Sequence, residues 1–166
     1  EDPILTGTLM AYQARGLEEN GVIATYKHLI ANNMEFERKS AHGIIDENTL
    51  RDLYLRVFDK AFSLYKPGCV MTSYNPVNGI YPCENSALLN DLLRGEWGFD
   101  GFVMTDWGSY DTADSIRSVC AGTNLLTPGS KKHFRMILKA VKRNEISKAA
   151  LQHSVKQIVK VLVRCI

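Results

Sequence analysis

The chain has 166 residues, 45% of them hydrophobic, and its 20 basic and 18 acidic side chains leave a net charge of +2. That is an ordinary globular composition with enough apolar material for one core, and it makes no electrostatic case for nucleic acid. No apolar run approaches the ~18 residues that a membrane span needs.

No charged-then-apolar leader marks export. The chain opens at Glu1-Asp2-Pro3 without a methionine, which reads as a processed or excised piece. The compartment therefore stays open, tilted towards the cytoplasm. The four cysteines are Cys69, Cys83, Cys120 and Cys165. None forms a Cys-x-x-Cys pair and the spacings are not those of a zinc site. Cys69, Cys120 and Cys165 lie among apolar neighbours and read as reduced structural thiols. Nothing in the sequence asks for a metal or another cofactor. The basic residues of the last third interleave with an apolar helical stripe and read as a solvated helix face.

Helix-like and strand-like segments alternate along the chain. Residues 4–19 read as a weakly patterned helix stopped at Asn20-Gly21. Residues 22–26 read as a short buried strand, and a polar stretch follows to Gly43. Leu50, Leu53, Tyr54, Val57, Phe58 and Ala61 follow the i, i+3, i+4, i+7 rule of a helix, with Asp46 as its cap. Residues 69–73 are a second strand. Leu88, Leu89, Leu92 and Leu93 mark a helix capped near Asn85 or Ser86. Residues 101–105 are a third strand, 111–121 a helix and 124–126 a very short fourth strand. Two helices close the chain, striped by Phe134, Ile137, Leu138 and Val141, then by Leu151, Val155, Ile158, Val159 and Leu162 behind a Ser147 cap. Buried strands each followed by an amphipathic helix argue for an α/β fold with parallel strands. Four such strands make either a small open domain or roughly half of a TIM-type (β/α)8 barrel, whose full circle takes about 250 residues.

In such barrels chemistry sits at the C-terminal ends of the strands. Here those ends run into Lys27-His28, Tyr74-Asn75 and Asp106-Trp107. Asp106 is either the cap of the segment behind it or a nucleophile or metal ligand; no matched set of further carboxylates or histidines supports a metal. Trp107 is either core or an aromatic platform for an apolar ligand face. Lys27 and His28 could bind hydroxyl groups, or Lys27 could form a Schiff base. Arg38 is a surface charge or a second clamp on a polyhydroxylated ligand.

Several motifs in order add a resemblance. Lys27-His28 followed by Asn32-Asn33, Glu35 and Arg38 resembles the lysine–histidine segment of family-three glycoside hydrolases. Residues Met71 to Gly79 resemble that family's Met-x-x-Tyr-Asn-x-x-Asn-Gly segment, and Thr105-Asp106-Trp107 is similar to its nucleophile motif. Glu1-Asp2-Pro3 is similar to the segment behind the family's arginine. The resemblance implies that Asp106 attacks the anomeric carbon of a β-glucoside or related oligosaccharide. It implies that Lys27, His28 and Arg38 hold sugar hydroxyls, that Tyr74 lies close to the nucleophile, that Trp107 lines the sugar pocket, and that Met71 and Tyr74 belong with them to the substrate-binding set. It makes residues 1–166 the C-terminal half of the catalytic barrel, an incomplete domain. The partners expected are the missing barrel half and a second sandwich domain carrying the acid/base glutamate, or a second copy of the chain.

Two positions depart from the family pattern: Asn124 stands where an aspartate is usual, and Thr127 where a methionine is usual. Both would bear on how the last strand end lines the pocket. Lys27-His28-Leu29-Ile30 is unlike the N-acetylhexosaminidase segment, and Asp106-Trp107 unlike the Asp-Cys of many xylosidases, which makes β-glucoside the first substrate class and xyloside the second. The alternatives are a non-catalytic sugar-binding or structural half-barrel and an aldolase-like lyase using Lys27.

Overall fold

The computed structural model describes residues 2–165; Glu1 and the side chain of Cys165 lie outside what is described, and with them the expected setting of that thiol. Helix α1 (Pro3–Glu18) starts where the chemistry of a helix start is densest. Asp2 Oδ1 accepts from the amides of Ile4 and Leu5 at 2.8 and 2.9 Å, and Pro3 occupies the first turn, where its missing N–H costs nothing. Strand β1 (Thr25–Leu29) follows. The next helix, α2, is made of three consecutive pieces: Glu47–Thr49, the π-helical Leu50–Leu55 and Arg56–Leu64. Asp46 caps it through the Thr49 amide. Strand β2 (Cys69–Thr72), the π-wound helix α3 (Ala87–Glu96), strand β3 (Phe102–Met104), and helices α4 (Ser115–Cys120), α5 (Lys131–Lys142) and α6 (Lys148–Leu162) complete the order.

The three strands form one parallel sheet in the order β1-β2-β3. The expected α/β fold with parallel strands is therefore present, with three differences. The first strand lies at 25–29 instead of 22–26, so Lys27 and His28 belong to it. The fourth strand shrinks to a single parallel bridge, Met104 to Leu125. There Asn124 and Leu125 donate to the Val103 carbonyl and Thr105 donates to Leu125, and a cis Thr127–Pro128 bond follows at once. The helix expected over 111–121 covers only Ser115–Cys120, because Asp114 accepts from the amides of Ile116 and Arg117 and so starts it late.

Side chains alternate across the sheet. Tyr26, Val70 and Val103 face α1, α2 and α3 in the main core, together with Leu29, Phe62, Leu89 and Leu93. Phe62 is the hub: Tyr26 meets it edge-on at 5.2 Å, Trp97 stacks at 5.3 Å and Phe99 lies at 5.7 Å. The α1–α2 crossing is very tight. A Cβ on Gly7 would stand 2.4 Å from the Val57 carbonyl oxygen, so only glycine fits. Along α2 the buried face is Leu55, Phe58, Ala61 and Phe62, while Leu53 of the expected stripe is exposed. The wide π turn inserts residues that a 3.6-residue period does not count. On the opposite sheet face Cys69 and Phe102 pack with Val161 of α6.

Cys69 and Cys83 are buried free thiols, but Cys120 is exposed, at the last turn of α4, contrary to the apolar setting expected of it. Burial pushes the Cys69 thiol up to about 12 and the Cys83 thiol up to about 11. The α5 stripe is also turned outward: Ala140 is the helix's buried residue, and Phe134 and Leu138 are exposed.

Candidate active site

The C-terminal ends of β1, β2 and β3 bring His28, Tyr74 and Asp106 together, and each arrives by a distinct local device. On β1, Tyr26 pairs with Val70 but Leu29 pairs with Thr72, so Lys27 and His28 together oppose Met71 alone. Such a bulge re-aims side chains next to a strand end, and it turns the His28 imidazole across the sheet. His28 Nε2 lies 3.2 Å from Asp106 Oδ2. Burial, the largest influence, lowers the His28 pKa below 6.5; Asp106 opposes that, and Lys27 and Arg38 reinforce it. The imidazole is therefore neutral near pH 7 and faces the carboxylate without a well-aligned hydrogen bond to it.

Asp106 itself is buried at the end of β3. Its Oδ1 accepts from the Trp107 amide at 2.6 Å. It does not cap α4, a task that Asp114 performs, so the cap reading of Asp106 fails. Among the described residues no group of three or more His, Cys, Asp or Glu could hold a metal ion.

Tyr74 is buried, and its hydroxyl donates to the Trp107 carbonyl at 2.6 Å. Burial first, then the Asp106 charge, raises its pKa, which keeps that donor in place. The residues around Tyr74 knit β2 to β1: Ser73 Oγ donates to the Ile30 carbonyl at 2.7 Å and Asn75 Nδ2 to the Ala31 carbonyl at 3.0 Å. Met71 sits half-buried on β2 beside Met104 of β3. The Arg38 guanidinium stands over the Tyr74 ring at 4.7 Å and pairs with Glu35 at 3.1 Å. Trp107, though next to a buried carboxylate, exposes 66% of its surface. It is therefore not core.

Lys27 is exposed and, with His28, Asn32, Asn33 and Tyr54, lines a cleft of about 660 Å³ whose far wall is Pro3, Thr6 and Met10 of α1. All seven expected residues thus occupy one end of the sheet. Asn124 does not join them. Its Oδ1 accepts from the Val103 amide at 2.7 Å and from Arg94 Nη2 at 2.9 Å, and its Nδ2 donates to Ser154 Oγ at 3.1 Å. The substitution there is a matter of the fold, not of the pocket wall. Thr127 does join: its carbonyl accepts from Gly108 N at 2.8 Å, and its amide and hydroxyl bond Thr105 Oγ1 and the Thr105 carbonyl at 2.9 and 2.5 Å.

Lys39 and Asp111, which no spacing singles out, complete the rim with a 2.8 Å ion pair between the loops behind β1 and β3.

Solved structures similar to this chain include beta-glucosidase 3B from Thermotoga neapolitana in complex with glycerol, at 38% identity and a TM-score of 0.93 over 99% of this chain and 24% of that one. The beta-glucosidase from Kluyveromyces marxianus in complex with glucose matches at 32% identity and a TM-score of 0.91, over 99% and 20%. Among curated sequences, probable beta-glucosidase J of Aspergillus fumigatus is 39% identical over 165 residues, and probable beta-glucosidase I of Aspergillus oryzae 38%. The match takes 98% of this chain and 19% of each relative, so the chain spans about a fifth of their length. The model of the glycosyl hydrolase family 3 N terminal domain matches residues 1–161, and the chain belongs to that family.

Proposed function

We propose that this chain is the nucleophile-bearing part of a retaining β-glucosidase, the C-terminal half of its catalytic barrel. The observation that carries the reading is the setting of Asp106: a buried carboxylate at a strand end, one oxygen held by the Trp107 amide and the other facing His28. It stands between the cleft at Lys27 and the open face of Trp107. A glucosyl ring on Trp107 would turn its anomeric carbon to Asp106, and Lys27, His28 and Arg38 would take its hydroxyls, with Met71 and Tyr74 behind the nucleophile. An Asp106 oxygen bonds to C1 as the bond from C1 to the leaving oxygen breaks, and an acid protonates that oxygen. Water, deprotonated by the same group, then attacks C1, freeing glucose with its original configuration and returning the carboxylate.

The acid/base must stand about 5–5.5 Å from the nucleophile. We assign it to another part of the protein, in the sandwich domain that the resemblance implies. The 166-residue chain alone is accordingly expected to lack an enzymatic rate, since a positioned acid is worth ~10²–10⁴-fold. Cellobiose, with its poor leaving group, should resist it more than p-nitrophenyl β-glucoside; efficient cellobiose cleavage lost on Asp106→Asn would place an acid within the chain.

The decisive experiment is trapping with a 2-fluoro glucoside in the full-length protein. Mass spectrometry should find the label on the Asp106 peptide, and Asp106→Ala should abolish it. Label persisting on another carboxylate moves the nucleophile. A wild type that neither labels nor turns over favours the non-catalytic sugar-binding reading.

A further inference from the structure

The exposed indole of Trp107 has little packing to orient it, so its direction depends on the backbone beneath it. Every polar group of that backbone is held. The Trp107 amide donates to Asp106, and its carbonyl accepts from Tyr74. The Gly108 amide donates to the Thr127 carbonyl, and the Gly108 carbonyl accepts from the Asp111 amide and from Lys39 Nζ, the latter at 3.2 Å. Among these anchors Lys39 alone comes from the loop behind β1. The same ammonium pairs with Asp111 at 2.8 Å and lies 5.4 Å from the Tyr74 ring, on which the neighbouring Arg38 also rests. The Lys39 carbonyl in turn accepts from the Tyr81 hydroxyl at 3.3 Å, tying it to the loop behind β2. Gly108 leaves room for this: its φ is +76°, and a Cβ there would stand 3.3 Å from both Lys39 Nζ and Asp111 Oδ2.

We propose that Lys39 is a positioning residue: its ammonium latches the loop carrying Arg38 to the Trp107–Asp111 loop and so sets the angle at which the Trp107 platform meets a sugar. Its effect on glycoside binding rests on the β-glucosidase reading; the latch itself does not. An exposed ion pair supports a modest effect, about five-fold at most. Lys39→Ala should therefore raise KM for p-nitrophenyl β-glucoside about five-fold and leave kcat nearly alone. Lys39→Arg should restore most of it, and Asp111→Asn should weaken binding in the same direction. Salt at 1 M should raise the wild-type KM towards that of Lys39→Ala while leaving the variant's unchanged.

The test pairs these kinetics with hydrogen exchange on the full-length protein, because exchange needs no activity. In Lys39→Ala the peptide spanning Thr105–Asp111 should exchange about three- to five-fold faster, and the peptide of β2 should keep its rate. Unchanged exchange in the Trp107 peptide, or equal acceleration in both, overturns the latch. So does an unmoved KM in a protein whose turnover is lost on Asp106→Ala. A wild type without β-glucosidase activity defeats the reading of the site, and the exchange comparison still decides the latch.

Discussion

Glu18 and Asp106 are both side-chain carboxylates at ends of the same sheet, and they are used in opposite ways. Glu18 closes α1 under the strand entrances. Its Oε1 accepts from the amides of Gly68 at 2.6 Å and Ala24 at 3.1 Å, and its Oε2 from the Tyr65 hydroxyl at 3.0 Å. Asp106, at the strand exits, keeps one backbone donor on Oδ1 and faces side chains with the rest of its carboxylate, the His28 imidazole at Oδ2 and the Tyr74 hydroxyl beside it. A carboxylate whose lone pairs are filled by fixed donors is a structural clip. One whose remaining partners are side chains can still turn to an incoming atom. The same contrast runs through the molecule: Asp100, also at the entrance end, is clasped by Lys160 and Arg164.

The sharpest way to break this comparison is to remove each carboxylate in turn from the full-length protein. Asp106→Ala is expected to lower kcat by ~10⁴-fold or more, the scale on which catalytic nucleophiles count, with little change in Tm. Glu18→Ala strands buried donors at two strand starts. Hydrogen bonds to charged groups are worth about 1.5–3 kcal/mol each and do not add fully, so a loss of about 3 kcal/mol in chemical denaturation is expected, with kcat retained while the protein stays folded. A large stability loss from Asp106→Ala, or a large kcat loss from Glu18→Ala in folded protein, would erase the distinction.

A smaller effect comes from pH. His28 titrates below 6.5 in the fold because burial disfavours its cation more than Asp106 favours it. The unfolded chain therefore binds this proton more readily. The stability tied to neutral His28 is whole above pH 6.5 and declines as pH falls through 6.5. Urea midpoints measured between pH 7.5 and 5 should fall more steeply for the wild type than for His28→Gln, which has no proton to take up. Parallel slopes would mean that the pair at the site is not coupled to folding, and the exit end would lose its claim to be electrostatically poised.

Much of the exit end was legible because its signals are local. Strand-like residues run directly into Tyr74 and Asp106, and hydrophobic runs suffice to find β2 and β3. What sequence could not show depends on partners far apart in the chain. Lys39 meets Asp111 72 residues on, and nothing in either loop's composition marks the pair. The π-helical turn in α2 changes which leucine is buried, and helical spacing assumes it away. The fourth strand shrinks because Thr127 is drawn back onto Thr105. Asn124 is tied to the pocket only through the family pattern, where an aspartate is usual; its side chain instead serves the entrance end.

That residue gives the finest test of the comparison. Arg94 is half-buried, and its Nη1 and Nη2 rest on neutral oxygens, the Gly101 carbonyl at 3.0 Å and Asn124 Oδ1 at 2.9 Å. Burial lowers its pKa, and the help it receives comes from Asp100, which is already committed to Lys160 and Arg164. Asn124→Asp would give this guanidinium a carboxylate at the same distance while keeping an acceptor for the Val103 amide. The bond from Asn124 Nδ2 to Ser154 Oγ is lost, but the Ser154 hydroxyl can donate instead. Charge-assisted bonds are roughly twice as strong as neutral ones, so a net gain of about 1 kcal/mol is expected, read as a higher Tm. Because Asn124 touches neither Asp106 nor His28, KM and kcat should stay where they are. A lower Tm would show that Arg94 is already satisfied. Altered kinetics at a raised Tm would show that the two ends of the sheet are coupled through β3.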